Sequence, residues 1–140
     1  MSHDLDRFIE AQEGTYMSAL GEIARGKKTS HWMWCIFPQL AGLGASPTAQ
    51  YFALHSLNES RSYINHPILG IRYMECVAAL QNLPISDPKA VFGTVDAMKL
   101  CSSLTLFSVA APEQQALTQA LEKWFHGAKD RRTLELLSHP

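Results

Sequence analysis

The residues best suited to chemistry crowd into positions 26–39, which read GKKTSHWMWCIFPQ. Lys28 offers a compact positive charge of the kind that holds a phosphate. Trp32 and Trp34 offer flat faces on which a base stacks. His31 exchanges a proton near neutral pH, and Ser30 and Gln39 suit hydrogen bonds to a sugar or base edge. Farther along, Asp96 and Asp130 are the carboxylates suited to stabilising a developing positive charge, with Glu59 a weaker third. Lys99 and Ser103 belong to the same helical stretch as Asp96. A structural role competes at each position. Both aspartates precede helical patterns and suit N-caps, surface lysines are ordinarily solvated, and tryptophans ordinarily fill a core.

Other chemistry is excluded by spacing. Ser30 and His31 are neighbours, and an extended backbone sends neighbours to opposite faces, so they do not form a nucleophile–base pair. The six histidines show no metal-ligand spacing. No Walker loop, Rossmann fingerprint, H-E-x-x-H or G-x-S-x-G motif is present, so neither a metal nor a cofactor is expected.

The elements that must position these residues follow from periodicity. Trp32, Trp34 and Ile36 alternate with Met33, Cys35 and Phe37, which predicts a strand apolar on both faces and ended by Pro38. Before it, Leu5, Phe8, Ile9 and Gln12 recur at helical spacing, and Tyr16, Met17, Leu20, Ile23 and Ala24 form a second stripe closed by Gly26. Gln12 stands where a leucine would pack better, facing a polar cleft or a rim. Residues 40–47 form a loop with Gly42 and Gly44, and residues 51–57 fit strand or helix equally. Ser56 or Asn58 caps a short helix reaching Ile64, and Pro67 opens another bearing Leu69, Tyr73, Cys76, Val77 and Leu80. His66 is a cap or a surface group. A brief extended piece at Val91-Phe92-Gly93 leads to Asp96 as the cap of a helix running to Phe107. Ser102, Ser103 and Thr105 are many hydroxyls for a helix interior and suit a polar pocket or bonds back to carbonyls. Pro112 opens a helix with Leu117, Leu121, Trp124 and Phe125 inward, and Asp130 caps a last one with Leu134 and Leu137. About five to seven helices with roughly one to three short strands make a helix-rich α+β fold with a small sheet.

Composition narrows the function classes. The chain has 140 residues, 46% of them hydrophobic and 18% charged, with a net charge of −1. It is a single domain spanning 1–140, long enough to bury a core, and its charge gives no bulk attraction to long nucleic acid or to a membrane. The Lys27-Lys28 and Arg131-Arg132 pairs each suit one phosphate. Cys35, Cys76 and Cys101 are far apart and read as reduced thiols. The first five residues lack the apolar core of a signal peptide, and no apolar run approaches the roughly 18 residues of a membrane span. A soluble, cytoplasmic protein is expected, its oligomeric state left open by the sequence.

The segments RFIEAQ from Arg7, GKKTSHWMW from Gly26, FPQLAGLG from Phe37, HPILGIR from His66, FGTVDAMKLCSSLTLF from Phe92 and FHGAKD from Phe125 together resemble a bacterial family of unknown function sometimes labelled calpastatin. Departures at Cys35, Ser60 and Leu104 are packing changes. Calpastatin itself is a long disordered protease inhibitor, whereas this composition is that of a folded domain. In fold, the family resembles the YbiA-like (NADAR) group, associated with NAD and ADP-ribose chemistry. That group includes N-glycosidases acting on phosphoribosyl-type riboflavin intermediates and enzymes that remove ADP-ribose from bases. The resemblance implies a YbiA-like domain, and no catalytic residue of that group carries over to this chain.

Together these readings lead to an N-glycoside hydrolase acting on a nucleotide, phosphoribosyl or ADP-ribosyl compound. Asp96, Asp130 and His31 are its candidate catalytic residues. Lys28, Ser30, Trp32, Trp34, Gln39, Lys99 and Ser103 are its candidate binding residues, for a small nucleotide-like ligand. One alternative is a non-catalytic nucleotide or ADP-ribose-binding module, which needs the same aromatics and lysines but no carboxylate at the sugar C1′. The other is a protein-interaction domain with the tryptophans as its hot spot.

Overall fold

The structure is a computed structural model that describes residues 4–138; Met1–His3 of the leader reading and the terminal His139 lie outside them. In chain order the helices are α1 (Asp6–Glu13), α2 (Tyr16–Arg25), α3 (Met33–Ile36), α4 (Pro47–Tyr51), α5 (Leu57–Ile64), α6 (Leu69–Gln81), α7 (Pro88–Ala110), α8 (Gln115–Phe125) and α9 (Arg131–Ser138). Among the described residues there is no strand, only an isolated parallel bridge between Leu40 and Leu54. The α+β expectation is therefore overturned: this is an all-helical fold.

The expected strand at Trp32–Phe37 is a helical turn instead. The Trp32 carbonyl accepts from Cys35 N and Ile36 N, and the Met33 carbonyl from Phe37 N. Alternating apolar residues mimic a strand here because the turn is enclosed almost all round, with Trp32, Met33, Cys35, Ile36 and Phe37 all buried. A short apolar run that is covered on nearly every side carries no periodicity to tell helix from strand.

Helix α7 is the hub, with α5, α8 and α9 packed on it, while α2, α5 and α8 pack on α6. Its inward residues Leu100, Leu104 and Phe107 are buried, and the rings of Tyr63 and Tyr73 lie 5.4 and 4.5 Å from that of Phe107. By length and composition this 23-residue helix is apolar enough to cross a membrane, with a mean hydropathy of 1.3; here more than half of that apolar window is buried inside the fold. The count of uninterrupted apolar residues misses it, because Lys99 and Asp96 lie within an otherwise hydrophobic stretch.

Helix α7 also starts earlier than expected, at Pro88 with Asp87 as its cap, and it is kinked at Gly93 (φ 80°, ψ 170°). That conformation is nearly exclusive to glycine. The extended piece read at Val91-Phe92-Gly93 is thus one bent residue, and Asp96 lies in the first turn beyond it. Pro112 does not open α8, which begins at Gln115. Ser56 caps α5 through Glu59 N, and His66 Nδ1 accepts from Ile68 N and Leu69 N at the start of α6.

The loop of residues 41–53 leaves and rejoins the core at one point. Leu54 N donates to the Gln39 carbonyl at 3.0 Å, and Ala41 N to the Leu54 carbonyl at 2.8 Å. Arg7 on α1 ties down the far end through the Tyr51 and Ala53 carbonyls. Gln12, 2% exposed, is neither rim nor cleft. It donates to the Cys35 carbonyl and Tyr63 hydroxyl, and its own oxygen accepts from Arg72.

Candidate functional site

Two polar regions contain the residues singled out from the sequence. The first is closed. Glu22 on α2 is 3% exposed, and its carboxylate accepts from Thr29 N (2.7 Å), Ser30 N (2.9 Å), the Ser30 hydroxyl and the Trp32 indole N–H (2.9 Å). Burial alone would raise this carboxyl, but the bonds from the Ser30 hydroxyl, Thr29 N–H and Trp32 indole outweigh it and hold the group down at about 2. Trp32 is fully buried, with Phe92 edge-on to its ring. Lys28 completes the knot. Its ammonium lies 2.9 Å from Asp96 Oδ2, donates to the Ser30 carbonyl at 2.6 Å and sits 5.1 Å from the Trp32 ring centroid. Ser30, Trp32 and Lys28 are thereby turned toward one another, and His31 is exposed beside them.

The second region is open. A narrow hollow of about 50 Å³ is walled by Trp34, Gln39, Gly44, Thr48, Phe52 and Lys99. A wider recess of about 280 Å³ adjoins it across Gln39, Gly44 and Lys99, and reaches Ser102, Asp130 and Arg132. Trp34 projects from α3 against Phe52, with ring centroids 4.5 Å apart and planes at 31°. Pro38 ends the α3 turn and sends Gln39 out to the hollow. Gly44 allows the loop to close on α4, since a Cβ there would lie 2.5 Å from Ala49 Cβ. Ser46 caps α4 through Ala49 N.

Beyond the Gly93 kink, successive turns of α7 bring Lys99 and Ser102 to this side. Lys99, partly exposed, lies 3.8 Å from Asp96. Asp130 caps α9: Oδ2 accepts from Thr133 N (3.1 Å), the Thr133 hydroxyl and the Ser102 hydroxyl (3.0 Å). Its own N–H donates to Thr105. Arg132 is exposed and has no hydrogen-bond or ion-pair partner among the described residues.

The geometry therefore brings together Trp34, Gln39, Lys99 and Asp130. It sends Ser30, Trp32, Lys28 and Asp96 to the Glu22 knot and its margin. Ser103 goes elsewhere again, fully buried and 2.9 Å from the Tyr73 hydroxyl. Phe52 was missed as a neighbour of the hollow, nothing in its local sequence distinguishing it from a packing residue, whereas Ser102 was among the hydroxyls read as suited to a polar pocket. Arg132 carried a signal, the Arg131-Arg132 doublet. No cluster of metal-ligating side chains occurs among the described residues.

A family model described as "Protein of unknown function (DUF1810)" matches residues 2–137, almost the whole chain. The chain belongs to that DUF1810 family. No curated protein matches it. Among solved structures, it is similar to the crystal structure of the conserved hypothetical protein Rv1873 from Mycobacterium tuberculosis. The two share 42% identity over 98% of each chain, with a TM-score of 0.95. Neither DUF1810 membership nor this neighbour points to calpastatin or to the YbiA-like group, so both resemblances are corrected. Among the described residues the helical fold also lacks the small sheet expected from the sequence pattern.

Proposed function

We propose that the protein binds a small anionic compound carrying a flat ring, of the nucleotide or phosphoribosyl kind, without cleaving it. The observation that carries this reading is that Lys99 borders both hollows, with Trp34 at one end and the unpartnered Arg132 at the other. The narrow hollow has room for the edge of a ring or a few waters, and the wider recess takes the remainder and its charge. Gln39 stands at the junction, able to donate and to accept.

Binding is favoured over N-glycoside cleavage because both candidate carboxylates are engaged. Asp96 is paired with Lys28 and Lys99, and Asp130 holds the start of α9 together with Ser102 and Thr133. Hydrolysis keeps one argument in its favour: Asp130 borders the same recess as Lys99 and Arg132.

The test is titration with adenosine 5′-monophosphate, ribose 5-phosphate and adenosine, followed by tryptophan fluorescence in the wild type and in Trp34→Phe. The phosphorylated compounds should quench saturably in the wild type. Lys99→Ala should weaken them by about tenfold, close to 1.4 kcal/mol, and leave adenosine unchanged. Absence of saturable quenching at millimolar ligand, or equal quenching in Trp34→Phe, would overturn the assignment. Free adenine accumulating during incubation would replace binding by hydrolysis.

A further inference from the structure

On the other side of Met98 and Asp130 lies a separate hollow of about 360 Å³ that the proposed nucleotide-like site does not use. Its lining is mainly apolar, with Met98, Cys101 and Phe125 among the residues that form it. Lys89, Lys129 and Arg131 stand at its rim, all exposed, and none of their side chains has a hydrogen-bonded or ionic partner among the described residues. Together they make a local positive rim around an apolar floor in a chain whose net charge is −1. The one carboxylate bordering the hollow, Asp130, has one oxygen bonded to Ser102 and Thr133, and its single negative charge stands against three positive ones.

We infer that this hollow is a binding site for a small amphipathic carboxylate, such as a medium-chain acyl or aryl acid, with its tail on Met98 and Phe125 and its head among Lys89, Lys129 and Arg131. Apolar burial supplies affinity in proportion to tail area, and the rim cations supply selectivity for an anionic head. Both features are needed at once. A purely apolar compound leaves the cations unused, and a bare inorganic anion leaves the floor exposed.

Cys101 provides a reporter that does not depend on the nature of the ligand. Its thiol is partly exposed, whereas Cys35 and Cys76 are buried, so alkylation reads this hollow alone. Burial, reinforced by the nearby Asp130 charge, raises the Cys101 thiol, which makes alkylation slow enough to time.

The experiment alkylates the full chain with N-ethylmaleimide, quantified at Cys101 by peptide mass, in the presence of octanoate, octanol or acetate, with calorimetric titration alongside. Octanoate should slow alkylation at least about tenfold, octanol and acetate far less. Lys129→Gln/Arg131→Gln should cut octanoate binding by a similar factor, with its circular dichroism unchanged. Equal protection by octanol would overturn the assignment, as would no protection at millimolar octanoate. The ligand comparison is made on the wild-type chain, so it stands even if the double variant does not fold.

Discussion

Around Glu22 the Thr29, Ser30 and Trp32 donors have a partner inside the protein; around Lys99 the positive charges outnumber theirs. Both regions looked alike in sequence, each a mixture of lysine, hydroxyl, tryptophan and amide. What separates them is one buried carboxylate ten residues upstream of Trp32, which gathers the Thr29, Ser30 and Trp32 donors into a closed structural knot. A site needs polar groups with bonding capacity left over, and that surplus lies on the Gln39, Lys99 and Arg132 side.

The strongest challenge to this contrast is Glu22→Gln. Four donors would then face a neutral amide that must itself be satisfied, and a loss of about 2–3 kcal/mol is expected from the charge-assisted bonds. Urea unfolding measures it, and a variant as stable as the wild type would return Ser30 and Trp32 to the list of ligand contacts.

The same carboxylate predicts a pH dependence. Its folded value is about 2, below the ordinary 4.5, so its contribution is fully present above pH 4.5 and is lost as pH falls toward 2. Chemical unfolding at a series of pH values should show the wild type weakening across that window and Glu22→Gln nearly flat there. Parallel curves would mean that the knot is not what fails in acid.

Gly93→Ala tests the route by which α7 reaches the open side. Nothing lies within 4 Å of a Cβ placed there, so the expected cost of about 1–3 kcal/mol is backbone strain alone. An unchanged melting temperature would show that the kink relaxes freely. The smallest effect belongs to His31→Ala. His31 is exposed at the edge of the knot, and its loss should change stability by no more than about 0.5 kcal/mol and ligand binding not measurably. A large loss of binding would extend the site to the closed side.

Much of the helical framework was readable from spacing. The stripe of Leu69, Tyr73, Cys76, Val77 and Leu80 is the buried face of α6, and Asp130 caps α9 as its type and position suggested. The class was not readable, because the strand pattern at Trp32–Phe37 came from a turn buried on nearly every side and the extended piece at Val91-Phe92-Gly93 from a kink in a helix. The site was readable only in part. Trp34, Gln39 and Lys99 meet, but their types match those of Trp32, Ser30 and Lys28, and only the fold reveals that the latter are satisfied from within. Glu22 gave no local warning, being a single glutamate in an ordinary amphipathic stripe. The hydroxyls of α7 were rightly singled out as unusual, and they turn out to be joints: Ser102 and Thr105 hold Asp130, and Ser103 holds Tyr73.

The pinched attachment of residues 41–53 has a consequence for how this scaffold diversifies. One wall of the narrow hollow, with Gly44, Ser46 and Thr48, belongs to an omega-like excursion sewn to the body at its neck by Gln39, Ala41 and Leu54. Doubling the length of such an excursion costs only about 0.6 kcal/mol in closure entropy. Insertions or exchanges there would re-cut the ligand's berth while α6, α7 and α8 keep their packing, so specificity can drift independently of the helical body that carries Lys99.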